Sequence, residues 1–313
     1  MNKQNFLIRP RSLAAYFFLG EFLMKAIIGI IGGSGIEQIE DLKRAQWKSV
    51  SSPFGKSSDN LLFGEIDEVP IVFLPRHGRG HKLTPTAINY RANIDCLKRA
   101  GVTDIISLSA VGSLKEEYVP GNFVLVDQFI DRTVSREKTF FGEGCVAHVS
   151  FSHPISDRLQ HALHNTCQDL GLPSHLGGTY ICMEGPQFST LAESNLYRSW
   201  GCDVIGMTNM PEAKLAREAE LPYATVAMVT DYDCWHPDHE AVSVESVIKV
   251  IEKNRDNANL LLKNALPKIK VRPNEDIQGG DRALDFAIVT SPENRDPELV
   301  AKLDAVAGRV LLI

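Results

Sequence analysis

The chain has 313 residues, of which 44% are hydrophobic and 23% charged, and its formal net charge is −6. This is the composition of a soluble globular protein, long enough for one large α/β domain or two small ones. The lack of a basic stripe argues against a nucleic-acid partner, and no segment after residue 23 reaches the ~20 apolar residues of a membrane span.

The first 23 residues, MNKQNFLIRPRSLAAYFFLGEFL, admit two interpretations. Their basic start and apolar stretch are typical of an export signal. Against this, Glu21 interrupts the apolar stretch and no A-x-A cleavage site follows it. We therefore expect a dispensable N-terminal extension upstream of a core that begins near Met24.

Short apolar runs alternate with helical patterns from Met24 onward. This alternation predicts an α/β fold whose sheet is covered on both faces, with functional residues gathered at the strand ends. The predicted strands are AIIGIIGG (26–33), LLFGEI (61–66) and PIVFLP (70–75) as a hairpin, DIISLSAVGS (104–113), NFVLVDQFI (122–130), GGTYICMEGP (177–186), CDVIGMTN (202–209) and YATVAMVTD (223–231). The predicted helices are 84–101, 156–171, one from Ser189, one from Pro211, and the long 241–266.

The last forty residues differ from the rest of the chain. PNEDIQGGD (273–281) is polar and contains glycines, as linkers do. A short strand and a helix follow, with Asp296 as N-cap and Pro297 in the first turn. We divide the chain into an N-terminal extension (1–23), one domain (24–272) and a C-terminal extension (273–313) that either packs on a neighbouring subunit or trails.

The cysteines indicate the compartment. No two of them form a CxxC pair, and most lie inside apolar runs, so a zinc framework has little support. We interpret them as reduced core thiols of a cytoplasmic protein. The six are Cys96, Cys145, Cys167, Cys182, Cys202 and Cys234.

Several strand ends carry groups suited to an anion. GIIGGSG (29–35) leads a strand into a glycine turn with the hydroxyl of Ser34, and RHGRGH (76–81) places Arg76 after another strand. The arginine fork suits phosphate, and glycines allow a close approach to backbone amides. GIIGGSG alone is equally a plain tight turn, whereas for RHGRGH we favour an anion site over a solvated basic turn. Together with Ser109, Ala110 and Thr208 they predict a phosphate cradle built from separate strand ends.

Two carboxylates follow the last predicted strand, in MVTDYDCW (228–235). If this segment is extended, Asp231 and Asp233 point to one face and can accept from an exocyclic amine and a ring N–H. Metal binding is the alternative, although no metal motif of fixed spacing is present. Its further ligands would be His236, Asp238 and His239.

Two apolar residues lie beside these polar strand ends. Phe188 follows the strand ending in MEGP, and Met207 precedes Thr208. Such residues suit a flat ring or a sugar face, although Met and Phe are more often core. They therefore support a small-molecule ligand only in combination with the polar groups.

The motifs GIIGGSG, PFGKSSD, RHGRGH, NYRANI, SAVGSL, DQFIDRT, EGPQFST, GMTNMPEAKLA and TDYDCW occur in this order. In this the chain resembles the trimeric purine nucleoside phosphorylase superfamily from about Met24 to Pro267, and most closely its 5′-methylthioadenosine phosphorylases. The resemblance implies a single-domain α/β fold with a central mixed twisted sheet flanked by helices. It also implies a pentosyltransferase that uses phosphate to cleave a 5′-methylthio nucleoside into adenine and 5-methylthioribose 1-phosphate.

The resemblance further implies the partners and the roles of residues. Inorganic phosphate is a co-substrate, no cofactor or metal is needed, and the assembly is a homotrimer, with a hexamer as the alternative. The phosphate ligands are Ser34, Arg76, His77, Ser109, Ala110 and Thr208. Met207 touches the ribose, Phe188 stacks near the base, and Asp231 and Asp233 hold N7 and the 6-amino group. His148 of a neighbouring subunit covers the methylthio group, whose pocket is lined by Val244, Val247 and Ile248.

Substrate choice depends on Asp231. Relatives that act on 6-oxopurines usually carry Asn there, and a carboxylate cannot donate to a 6-oxo group unless it is protonated. Asp231 therefore favours 6-amino substrates, and an apolar 5′ pocket favours methylthio over a free hydroxyl. The alternatives are a methylthioinosine or 6-oxopurine nucleoside phosphorylase and, in a different class, a non-catalytic nucleotide-binding protein.

Overall fold

A computed structural model of the chain describes residues 24–36, 39, 41–237, 244–273, 276, 278 and 280–311, with the backbone alone for 244–249. The strands are β1 (Met24–Lys25), β2 (Ile28–Gly32), β3 (Lys43–Lys48), β4 (Leu61–Ile66), β5 (Val69–Pro75), β6 (Asp104–Ser113), β7 (Phe123–Leu125), β8 (Gln128–Asp131), β9 (Ser174–Leu176), β10 (Thr179–Cys182), β11 (Val204–Gly206), β12 (Tyr223–Asp231) and β13 (Val271–Arg272). The helices are α1 (Tyr90–Arg99), α2 (Asp157–Asp169), α3 (Leu191–Ser199), α4 (Asn209–Glu218), α5 (Val244–Ile269), α6 (Pro297–Lys302) and α7 (Asp304–Leu311). The predicted extension 1–23 lies outside the described residues.

One large mixed sheet organises the described residues, which confirms the predicted α/β fold. Its strand order is β3-β4-β5-β2-β6-β11-β10-β8, and β12 pairs with both β6 and β7. The strands β2, β5, β6 and β12 run parallel, whereas β4 and β5 form the predicted antiparallel hairpin. The carboxyl ends of the four parallel strands therefore meet at one edge of the sheet, where ligands bind in such folds.

Strand β6 is the centre of this arrangement. Along Ile105–Ser107 it pairs with β2 on one edge and β12 on the other. Beyond the end of β2, Gly112 and Ser113 pair antiparallel with β11, while Gly112 still faces β12. Because β6 continues past the end of β2, its residues 109–112 form the floor of an opening between the neighbouring strand ends.

One helix, α1, begins later than predicted. The predicted helix 84–101 begins only at Tyr90, because the Asn89 side chain accepts from the Ala92 amide at 3.0 Å and caps it. The residues before Asn89 form turns. Other predicted helices are confirmed within a few residues, including α6 with Asp296 as its N-cap.

The described part of the predicted C-terminal extension packs on its own chain. Leu284, Leu303 and Val306 are buried in the same hydrophobic core as the central strands. Arg309 donates to Glu220 at 2.8 Å, close to the end of α4. These contacts join residues 280–311 to the domain, and the packing on a neighbouring subunit stays a prediction.

The longest helix, α5, packs against α2 and β12. Among the described residues no helix is both long and apolar enough to cross a lipid bilayer. The first residues of α5 follow the segment 238–243, which is not described.

Candidate active site

A cavity of about 360 Å³ opens at the edge where the parallel strands end. It lies over the C-terminal half of β6 and between the ends of β2, β5, β11 and β12. Its lining includes every predicted phosphate ligand, both carboxylates and both apolar residues: Ser34, Arg76, His77, Ser109, Ala110, Thr208, Asp231, Asp233, Phe188 and Met207. The strand-end argument thus leads to one place in the fold.

One described site residue of the prediction, His148, is not brought to this cavity. His148 is exposed and donates its amide to the Ala287 carbonyl at 2.9 Å, away from the cavity of its own chain. The side chains of Val244, Val247 and Ile248 lie outside the described residues. Ile251, one turn further along α5, does line the cavity, so this face of the helix reaches it.

The phosphate end of the cavity is formed mainly by hydroxyl groups. Ser109 is buried and its hydroxyl lies 3.1 Å from the Tyr180 hydroxyl, and Thr208 is buried at the start of α4. Gly33 has a role that the glycine turn did not predict. A Cβ there would lie 2.6 Å from the Leu108 carbonyl oxygen and 2.8 Å from Arg76 Nη1, so glycine lets the guanidinium pack against the turn.

Close packing also joins the same turn to α5. Gly35 has a φ of +79°, and a Cβ there would lie 2.0 Å from Cγ2 of Ile251. No side chain fits between the turn and the helix without displacing one of them. The turn that carries Ser34 is therefore in direct contact with the helix face that lines the cavity.

His77 is not a cation at neutral pH. Burial lowers the pKa of His77 to about 4, and the nearby Arg76 charge acts in the same direction. Its Nδ1 lies 2.8 Å from the Leu83 carbonyl, which can only accept, so Nδ1 carries the proton. The other ring nitrogen is then a hydrogen-bond acceptor and suits a protonated phosphate oxygen.

The two carboxylates reach the cavity by a different route from the predicted one. We expected an extended segment, but β12 ends at Asp231, and Asp233 lies in a turn with a φ of +51°. The Asp233 amide donates to Asp231 Oδ1 at 2.8 Å, which closes this turn. The prediction of an extended Asp-Tyr-Asp was wrong, although both side chains do face one cavity.

A β-bulge explains where the side chain of Thr230 points. Val229 pairs with Val111 and Asp231 with Gly112, so β12 has one extra residue, Thr230, between two pairs that are consecutive in β6. The Thr230 hydroxyl lies 2.6 Å from Asp231 Oδ2 and 3.1 Å from the Val111 carbonyl oxygen. It can donate to Asp231 when that carboxylate is ionised, and to Val111 when it is protonated.

Burial at the acid end of the cavity stabilises the protonated form of the carboxyl groups relative to water. Burial raises the pKa of Asp231 to about 6, and the charge of Asp233 acts in the same direction. The Thr230 hydroxyl and the Asp233 amide lower the pKa of Asp231 in part, because they donate to its ionised form. Burial also raises the pKa of Asp233. Because its pKa is about 6, Asp231 can hold or give a proton near neutral pH.

Thr230→Val should move the pH dependence of turnover. The change removes a donor to ionised Asp231, so its pKa rises and the falling limb of kcat/KM moves up by about one pH unit. Thr230→Ser keeps the hydroxyl and should leave the limb in place. Phosphate titrates identically in all three proteins, so the comparison isolates Asp231. An unmoved limb in the valine variant would remove Thr230 from the control of this proton.

A buried arginine holds the loops around the cavity together. The side chain of Arg136 is 1% exposed, and it donates to the Glu184 carboxylate at 2.9 Å and to the Glu184 carbonyl at 2.7 Å. It also donates to the carbonyls of Met207 and Met210 at 2.6 and 2.7 Å. Glu184 in turn accepts from the Val134 and Ser135 amides. One ion pair thereby joins three segments, one of which carries Met207.

The sequence prediction missed several residues of this region. Thr230 directly precedes the acid pair, and Ile251 continues the helical spacing from Val247 and Ile248, so both had a recognisable signal. Arg136 had none apart from its place in a polar segment. Among the described residues no three His, Cys, Asp or Glu side chains group as a metal site would require. Asp238 and His239, which belong to the metal alternative, lie outside them.

The sequence is similar to a family model and to individual proteins of known activity. The family model described as "Phosphorylase superfamily" matches residues 27–267. The S-methyl-5′-thioadenosine phosphorylase of Rhodospirillum rubrum is 60% identical over 293 residues, which is 94% of this chain and 100% of the relative.

Solved structures show the same similarity. A crystal structure of a methylthioadenosine phosphorylase from an antarctic soil metagenomic library superposes with a TM-score of 0.83 at 45% identity, covering 90% of this chain and 99% of that one. A methylthioadenosine phosphorylase from Schistosoma mansoni, in complex with adenine, gives a TM-score of 0.76 at 38% identity, with coverages of 78% and 92%.

Proposed function

The chain belongs to the phosphorylase superfamily, and from this premise we propose that it is a pentosyltransferase acting on S-methyl-5′-thioadenosine. Phosphate cleaves the nucleoside to adenine and 5-methylthioribose 1-phosphate, a reaction of purine and methionine salvage. The observation that carries the proposal is a single cavity with hydroxyls and Arg76 at one end and Asp231 and Asp233 at the other.

The spacing of the two ends supports this reading. Arg76 contacts the carbonyl of Leu108, whereas Asp231 pairs with Gly112, four residues further along β6. Four residues of a strand span about 13 Å, which accommodates a phosphate, a ribose and a base in a row. The same cavity is lined by apolar side chains, including Met207 and the half-exposed Phe188, that suit the sugar and the ring.

The acid end supplies the chemistry of the leaving base. Cleavage of the C–N bond places positive charge on the ribose and negative charge on the purine. A protonated Asp231 gives its proton to N7, and the raised pKa of Asp231 keeps that proton available near neutral pH. The other oxygen of the Asp231 carboxyl group and the carboxylate of Asp233 accept from the 6-amino group. Phosphate at the other end is both the nucleophile and the counter-ion of the ribosyl cation.

We propose a homotrimer in which His148 covers the 5′ group of a neighbouring site. Support comes from apolar groups beside His148 that an isolated chain leaves in water: Phe286 is 100% exposed and Val289 is 66% exposed. Val289 donates its amide to Val146, so these groups form one surface. A cytoplasmic location agrees with six free cysteines, five of them buried.

A phosphorolysis assay on the purified protein tests the function. Methylthioadenosine, methylthioinosine, adenosine and inosine are each incubated with and without phosphate, and base release is measured. We expect phosphate-dependent adenine release from methylthioadenosine and little reaction of inosine. A preference for the 6-oxo nucleosides would contradict the assignment of Asp231, and no turnover of any of them would favour a non-catalytic nucleotide-binding protein.

A further inference from the structure

The predicted phosphate arginine is already paired within the protein. Arg76 is fully buried, and its Nε and Nη2 donate to the two carboxylate oxygens of Glu212 at 2.7 and 3.1 Å. Glu212 is itself 2% exposed. It stands in the first turn of α4, 136 residues further along the chain, and it does not line the cavity. Arg76 thus lines the cavity, whereas its partner Glu212 lies outside the lining.

The remaining contacts of Arg76 leave little of it for a ligand. A guanidinium has five N–H donors. Nη2 also donates to the Ser107 hydroxyl at 2.6 Å, and Nη1 donates to the Leu108 carbonyl at 3.0 Å. Four N–H groups are therefore used. The remaining N–H is on Nη1, the nitrogen that packs against Gly33 in the cavity lining.

Glu212 is held as firmly as the arginine that it binds. The hydroxyls of Ser107 and Tyr223 both donate to its Oε1, each at 2.8 Å. Asn209 donates to both of these hydroxyls, at 3.0 and 2.6 Å. All of these groups are buried. The carboxylate therefore has one position, and the guanidinium that pairs with it has one orientation.

We propose that Glu212 is a positioning residue for phosphate, which clamps Arg76 so that a single N–H, on Nη1, is presented to the anion. This rests on the proposed function, in which phosphate occupies the Arg76 end of the cavity. The pair also cancels the arginine charge, so phosphate is held by directed hydrogen bonds from Arg76, Ser34 and Ser109 more than by net charge. A buried ion pair is in general weak evidence that the pair stabilises the fold. The property to test is therefore whether Glu212 orients Arg76.

Glu212→Gln keeps the size of the side chain but replaces one acceptor oxygen with an amide that cannot accept from Arg76. The guanidinium loses its two-pronged partner, and we expect the KM for phosphate to rise by at least about tenfold. The KM for the nucleoside should change by less than about twofold, because Glu212 is remote from the acid end. Glu218→Gln is the matched control. It changes another buried carboxylate of α4, which accepts from the Thr139 hydroxyl and the Phe140 amide and does not line the cavity, so both constants should stay nearly unchanged.

Combining Arg76→Lys with Glu212→Gln tests whether Glu212 acts through Arg76. Lysine keeps the charge without the fork, so phosphate affinity should fall, and adding Glu212→Gln should cause no comparable further loss. Independent losses would show that Glu212 does not act through Arg76. An unchanged or lowered phosphate KM in Glu212→Gln, or a parallel rise for the nucleoside, would overturn the proposal. If Glu212→Gln does not fold, Ser107→Ala removes another contact of the clamp and should weaken phosphate alone.

A binding measurement separates this inference from the proposed reaction. Phosphate should raise the unfolding midpoint of the wild-type protein, and Glu212→Gln should abolish most of that rise. If the wild type binds phosphate but cleaves no nucleoside, the proposed function fails and the clamp stands. If phosphate has no effect on the wild type, or the same effect on both proteins, the clamp is wrong whatever the activity.

Discussion

Replacing Asp231 with Asn should lower kcat for methylthioadenosine by about 10²–10³-fold, while the KM for phosphate stays nearly constant. The Asn side chain has no acidic proton for N7, and it lies at the opposite end of the cavity from Arg76. Steady-state kinetics with each substrate varied in turn give both constants. Asp256→Asn, at an exposed position on α5, is the matched control and should be within about twofold of the wild type.

The same variant reports on base selectivity. An Asn amide can donate to a 6-oxo group, which an ionised carboxylate cannot. The ratio of methylthioinosine to methylthioadenosine turnover should therefore rise in Asp231→Asn. Equal kcat values for the variant and the wild type would remove Asp231 from the proton transfer, and an unchanged ratio would remove it from base recognition.

Arg136→Met should destabilise the fold by about 3–5 kcal/mol, because it leaves a carboxylate and several carbonyls around the cavity without their donor. Arg136 is almost completely buried and contacts Glu184, Met207 and Met210. Denaturant unfolding at fixed protein concentration gives the change in free energy. Arg91→Met is the control, since Arg91 is partly exposed and lies 3.7 Å from the exposed Glu137. It should cost less than about 1 kcal/mol.

The arginine variant also tests the link between this ion pair and the site. If Arg136 positions the loop of Met207, the folded fraction of the variant has a raised KM for the nucleoside at temperatures well below unfolding. A variant as stable as the wild type would mean that water replaces the lost donors. A variant with lowered stability but unchanged kinetics would confine Arg136 to the fold.

Sequence reasoning located most of the site because its elements are local. Ser34, Arg76 and Asp231 each follow or end one of the parallel strands, whose carboxyl ends share one edge of the sheet. The order of strands in the sheet was not needed for this conclusion. Thr208 follows β11, which reaches the same place because it pairs antiparallel with the last residues of β6. The start of α1 was misplaced because Asn89, a residue without a hydrophobic signal, caps the helix and leaves residues 84–88 to the turns.

The sequence by itself therefore determined the fold class, the family and the composition of the cavity, since periodicity and motifs are properties of short segments. Only the tertiary structure decided how these groups act. The bulge at Thr230 and the turn at Asp233 depend on pairing with β6 and on burial, which set the protonation of Asp231. The pairing of Arg76 with Glu212 joins positions 136 residues apart. Such contacts depend on how distant segments pack, and no local pattern encodes which of many carboxylates an arginine meets.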